Sequence, residues 1–249
     1  MLKHILIELK QKNITYDMKY IKSYNKIFEN IITELDYSDC NLKELHKLPD
    51  SLENLYCENN KLTKLPKLPK NLVYLKCHNN ILSELPKLPI NLKYLNFHDN
   101  LIIKLPELPD TLEYLYCSKN NLSELPKLSS TLKQLYCEFN KLKYLPELSY
   151  TLKELYCSKN NLSELPELPK LLEILECSNN KLSELPELPD SLSGLDCSNN
   201  NLSKLPELPE SLTGLYCSDN NLPYTNLTEY KIWYAKTYPE KIEAKKYNL

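Results

Sequence analysis

Apolar positions return along this chain with almost no drift, in a 20-residue unit that reads L-x-x-L-x-C-x-x-N-x-L-x-x-L-P-x-L-P-x-x. Leu52, Leu72, Leu112, Leu132 and Leu152 share one column, and Asn60, Asn80, Asn100, Asn120 and Asn140 share another. A fixed period near 20 marks a solenoid, because one such unit cannot bury its apolar side alone and must stack on its neighbours. Inside each unit, triplets such as Leu55-Tyr56-Cys57 and Leu115-Tyr116-Cys117 alternate apolar and variable positions. That period of 2 predicts a short strand with one buried face, so the stacked units form a parallel sheet. The return path, Leu65-Pro66-Lys67-Leu68-Pro69 and its copies, excludes helix and predicts an extended, polyproline-like outer wall. The asparagine after each strand falls where the chain turns inward, and its amide can satisfy backbone groups of the neighbouring coil.

The repeat covers residues 32–222 in about ten units, which makes one continuous solenoid with short ends the economical organisation. Residues 1–31 place Leu2, Ile5, Leu6, Leu9, Ile21, Tyr24, Ile27, Phe28 and Ile31 at helical spacing, and predict a helical N-terminal cap. Residues 223–249 predict a C-terminal helical cap. There Asn226 is the N-cap, Leu227, Tyr230, Trp233 and Tyr234 form one face, and Pro239 breaks or restarts the helix.

Composition narrows the function classes. The chain of 249 residues carries 31 basic and 33 acidic groups, and every basic one is lysine. The absence of arginine argues against sequence-specific nucleic-acid readout, which relies on bidentate guanidinium contacts. Charge is uneven along the chain: 10 Lys against 8 Asp or Glu over residues 52–131 gives +2, and 8 against 14 over 132–221 gives −6. An acidic end of this kind steers a basic partner, or is simply a solvated edge. No stretch approaches the ~20 apolar residues of a membrane-spanning helix, and the run Ile5-Leu6-Ile7 is cut short before it makes a secretory signal. A cytoplasmic protein is therefore expected, with the cytoplasm of a host left open, as a monomer without membrane contact.

The unit L-x-x-L-x-C-x-x-N-x-L with its L-P-x-L-P return resembles the leucine-rich repeat, and within it the short LPX subclass of bacterial type III effectors and of giant-virus and protist repeat proteins. The resemblance implies a leucine-rich repeat solenoid whose curved parallel sheet lies on the concave side and binds other proteins there. Departures are few. In the first unit Tyr37 stands at the cysteine position, Cys40 at the asparagine and His46 at the first proline, while Ser129 and Ser149 replace the second proline of later units and are expected to soften the outer wall.

Eight of nine cysteines form one column, with Phe97 filling its gap, so the column is read as apolar core rather than as disulfides or metal ligands. Cys77 and His78 point to opposite faces and cannot share an ion; His78 and His98 share a column but have no third ligand. The enzymatic LPX effectors that the chain resembles carry a separate ubiquitin-ligase domain with a Cys-x-Asp nucleophile. Cys217-Ser218-Asp219 matches by repeat coincidence, since Cys217 lies in the core column and only 30 residues follow Asp219. No catalytic, cofactor or metal site is expected.

If residues 55 and 57 point inward, residues 54, 56 and 58 of each unit face the concave side. Tyrosines then cluster at Tyr74, Tyr94, Tyr114, Tyr116, Tyr136 and Tyr156, the candidate partner-binding residues. Stacked tyrosines also stabilise a sheet face without any partner. Three functions remain open from sequence: a non-catalytic module binding a protein or peptide ligand, an effector-like adaptor that recruits a ubiquitin ligase on another chain, and a structural repeat protein without a dedicated partner.

Overall fold

The computed structural model describes residues 32–240; the helices expected over residues 1–31, and residues 241–249, lie outside that range. Ten strands of three residues each follow the repeat: β1 (Glu34–Asp36), β2 (Asn54–Tyr56), β3 (Tyr74–Lys76), β4 (Tyr94–Asn96), β5 (Tyr114–Tyr116), β6 (Gln134–Tyr136), β7 (Glu154–Tyr156), β8 (Ile174–Glu176), β9 (Gly194–Asp196) and β10 (Gly214–Tyr216). They pair in sequence order as one parallel sheet. The register steps by one unit throughout, as in Leu55 opposite Leu75 and Leu95 opposite Leu115. No helix interrupts the solenoid between β1 and β10, so the proline-bearing wall is extended chain, as the return motif predicts.

Each coil buries the same set of side chains. In the second coil Leu52, Leu55, Cys57 and Leu62 are fully buried, and Leu65 and Leu68 nearly so. Fully burying a leucine is worth about 1.5–3 kcal/mol, and the set recurs in coil after coil as one continuous core. Phe97 takes the cysteine position of its coil and is also fully buried, which shows that the column asks for apolar volume.

The asparagine column binds coil to coil. Asn120 accepts from the Ile102 N–H at 3.0 Å and donates to the carbonyls of Phe97 (3.1 Å), Cys117 (3.2 Å) and Ser118 (3.2 Å). Asn80, Asn140 and Asn200 repeat the pattern. One amide thereby satisfies buried backbone groups of two coils, the accounting that a buried turn requires. The residue before each asparagine sits at positive φ (Asn79 52°, Lys119 52°, Phe139 54°, Lys159 55°), although none of them is glycine.

Ser129 and Ser149 do not loosen the wall where they replace proline. Both are buried, and each hydroxyl donates at 2.7 Å to a carbonyl of the preceding coil, Asp110 and Ser130 respectively. A hydroxyl column beside them does the same work, with Thr111 reaching Leu92 O and Thr151 reaching Leu132 O, both at 2.9 Å.

Beyond β10 the chain folds back over the sheet edge. Thr225 O accepts from the Cys217 N–H at 2.9 Å, and Asn226 bridges to Tyr216 in antiparallel fashion, so this edge is not left open. Helix α1 (Leu227–Thr237) starts at Asn226, whose side chain accepts from the Glu229 N–H, while the Glu229 carboxylate accepts from Thr225 N at 2.8 Å. Leu227, Tyr230 and Trp233 pack on the last coil around the buried ring of Tyr224.

Candidate functional site

With Leu55 and Cys57 and their copies fully buried, the residues between and beyond them stand on the other side of the sheet. Two columns define that face. The first holds Tyr74, Tyr94, Tyr114, Gln134, Glu154, Ile174, Gly194 and Gly214; the second holds Lys76, Asn96, Tyr116, Tyr136, Tyr156, Glu176, Asp196 and Tyr216. The sheet register brings together all six candidate tyrosines, on β3–β7.

Their rings form a connected track. Tyr74 and Tyr94 stack at 4.0 Å and 11°, and Tyr136 and Tyr156 stack at 4.1 Å and 20°. The track changes column on β5. Tyr94 meets Tyr114 at 6.1 Å and Tyr116 at 5.2 Å, and Tyr116 continues to Tyr136 at 4.8 Å. Tyr56 extends it at the other end, 5.4 Å from Tyr74. Sequence reasoning left Tyr56 out of the cluster. Its place in the second column, one strand from Tyr74, was the available signal.

Polar groups hold the rings in place. Tyr116 Oη donates to Gln134 Oε1, Gln134 Nε2 donates to Glu154 Oε1 at 2.9 Å, and Tyr136 Oη donates to Glu154 Oε2 at 2.7 Å. For Tyr116 and Tyr136, in the second column, the first column of the next strand therefore supplies the acceptor. At the opposite end Lys76 Nζ lies 5.5 Å from the Tyr74 ring centre, 5.8 Å from Tyr56 and 6.0 Å from Tyr94. An ammonium at that distance is attracted by the negative ring faces. Burial pushes the Tyr94 and Tyr116 hydroxyls up to about 12, and burial together with the Glu154 bond pushes Tyr136 higher still. All are neutral phenols at physiological pH, able to donate.

The third column carries His78 and His98, stacked at 4.4 Å with 18° between the rings. Burial lowers both below the usual imidazole range, helped at His78 by the Lys76 charge and at His98 by His78 itself. His98 Nδ1 is 2.9 Å from Asn96 Oδ1. Among the described residues no group of three or more His, Cys, Asp or Glu side chains is arranged to hold a metal ion. Nor is the cysteine column nucleophilic: burial holds its thiols protonated, with Cys57 at about 12 and Cys217 at about 11. A group so far from ionisation supplies no thiolate at neutral pH.

No family model and no curated protein matches the chain. Solved structures do. YopM from Yersinia enterocolitica superposes with a TM-score of 0.74 at 46% identity, over 76% of this chain and 43% of that one. YopM from Yersinia pestis, described as a leucine-rich effector protein, gives 0.68 at 38% identity, over 76% and 61%. The chain is a leucine-rich repeat protein of the LPX type. It spans less than two thirds of the length of either YopM chain. The functional domain of InlJ from Listeria monocytogenes, which includes a cysteine ladder, superposes with a TM-score of 0.59 at 28% identity, over 78% of this chain and 50% of that one. The leucine-rich repeat here carries a cysteine column of its own, running from Cys57 to Cys217 through the core.

Proposed function

We propose that this leucine-rich repeat protein is a non-catalytic interaction module that grips a protein or peptide on the tyrosine-bearing face of its sheet. The observation that carries this reading is the continuous ring track from Tyr56 to Tyr156 on the side opposite the core. Tyrosine concentrates at binding hot spots because it offers a large apolar area at small entropic cost together with a hydroxyl. The likeness to effector proteins supports the same class, and a reducing cytoplasm suits nine free thiols. Among the described residues no helix is long and apolar enough to cross a membrane.

A second reading has its own observation. The rings at 4.0–4.1 Å stack closely enough to stabilise the sheet with no partner at all. Replacing Tyr114 and Tyr116 with alanine separates the two. On the binding reading the double variant keeps its melting temperature within a few degrees and loses capture of partners from cell lysate. On the stacking reading it loses stability, and whatever it captures is unchanged.

A further inference from the structure

Three observations on the sheet face converge on one kind of occupant for its acidic half. First, among the described residues Glu176 and Asp196 have no ion-pair partner. The ion pairs among the described residues, Lys93–Glu113, Lys133–Glu113 and Lys153–Glu173, all lie in the column just before the strands, and none reaches Glu176 or Asp196. Glu176 is half-buried beside Asp196, and burial together with the Asp196 and Glu138 charges raises its proton affinity. Second, the other end of the same track already shows what the rings accept, since Lys76 spreads its ammonium over three of them.

Third, the chain's two glycines, Gly194 and Gly214, occupy the first column of β9 and β10, directly beside Asp196 and Tyr216. Neither has the positive φ that demands glycine. Neither is held to glycine by packing: a Cβ at 194 would meet only Ile174 Cδ1 at 3.9 Å, and one at 214 would meet nothing within 4 Å. Glycine inside a strand, where backbone and neighbours would both accept a side chain, leaves a low shelf that another backbone can approach closely.

We infer that a basic, extended peptide segment of a partner protein crosses the last strands with its backbone over Gly194 and Gly214, its cationic side chains on Glu176 and Asp196, and its adjoining residues on the Tyr136–Tyr156 stack. This rests on the binding reading above and specifies its ligand. Strands spaced ~4.8 Å apart put Tyr136 and Asp196, three strands apart, about 14 Å from each other, the reach of some four extended residues. Alternate side chains of an extended segment point the same way, so lysine or arginine at every second position meets the carboxylates.

The test uses three fluorescein-labelled heptapeptides that alternate tyrosine with lysine, serine or glutamate, titrated by anisotropy at about 0.05 M and about 0.5 M NaCl. The lysine peptide is expected to bind roughly tenfold tighter than the serine peptide at low salt, to lose that margin at high salt, and to outbind the glutamate peptide further. The Glu176→Gln/Asp196→Asn variant should erase the margin. Gly194→Leu, whose Cβ would meet Ile174 Cδ1 at an ordinary 3.9 Å, should weaken all three peptides by blocking the shelf. Equal binding of the lysine and serine peptides, or no binding of the lysine peptide, overturns the inference, as does a lysine preference untouched by both variants. Peptide binding that ignores the acidic variant but disappears in Tyr114→Ala/Tyr116→Ala overturns this ligand class and leaves the binding face standing. Binding insensitive to every one of these changes rejects the face as well. Melting curves on each variant establish that the protein tested is folded.

Discussion

Replacing Asn120 with alanine probes the coil-to-coil ladder at a buried rung. The Ile102 N–H of the preceding coil has Asn120 Oδ1, at 3.0 Å, as its acceptor, and both groups are buried. An orphaned buried donor costs about 1–3 kcal/mol. The carbonyls lose less, because each keeps a second donor: Phe97 O retains Asn100 at 2.9 Å and Cys117 O retains Asn140 at 3.0 Å. Adding about 1 kcal/mol for those weakened bonds puts the expected loss at roughly 2–4 kcal/mol. Asn60→Ala at the first rung is the internal comparison. Its acceptor serves Leu42 and Cys40 in an exposed or half-buried setting where water can substitute, so the loss there should be about half as large or less. Chemical denaturation followed by far-UV circular dichroism measures both variants, and amide exchange reads the Ile102 N–H itself. A loss below about 0.5 kcal/mol for Asn120→Ala, or an Ile102 amide as protected as before, would refute the reasoning.

Three further outcomes rest on the same structure. A thiol reagent added to native protein should titrate Cys40 alone, since the other eight cysteines are buried, and all nine after denaturation; rapid labelling of the column in native protein contradicts its place in the core. The depressed His78 and His98 hold fewer protons folded than unfolded, so their effect is absent above pH 6.5, the ordinary value, and stability falls as pH drops below it. His78→Gln/His98→Gln should flatten that part of the melting-temperature profile, and an unchanged slope removes the pair as its source. Lys119→Asn places at φ 52° a residue that tolerates the left-handed region, as Asn79 already does in its own coil, and should gain about 0.5–1 kcal/mol; a loss would mean the lysine side chain contributes more than the strain costs.

Much of this was legible in the residues because a repeat reports each position many times over. The leucine, cysteine and asparagine columns announce strand, core and ladder, and Phe97 identifies what the cysteine position needs. Alternation around Leu55 and Cys57 was enough to put Tyr74 through Tyr156 on one face. What escaped depends on contacts between neighbouring columns. The diagonal from Tyr94 to Tyr116, and the acceptors that Gln134 and Glu154 provide, need the three-dimensional register. The left-handed position was marked by Asn or Asp at Asp39, Asn59, Asn79, Asp99, Asn179, Asn199 and Asp219, and escaped because Lys119, Phe139 and Lys159 interrupt that column. Ser129 and Ser149 were misjudged because a lost proline is visible in sequence, whereas the carbonyl of the preceding coil that a hydroxyl reaches is not.

The sheet face as the binding face is tested most directly by nuclear magnetic resonance of protein carrying isotope-labelled tyrosine, titrated with the lysine-containing heptapeptide. The rings of Tyr136, Tyr156 and the exposed Tyr216 should shift together and saturate at one stoichiometry, while Tyr144 and Tyr150, exposed on the return path, stay put. Shifts confined to Tyr144 and Tyr150, with the track unmoved, would place the ligand on the wrong side of the solenoid and contradict the account.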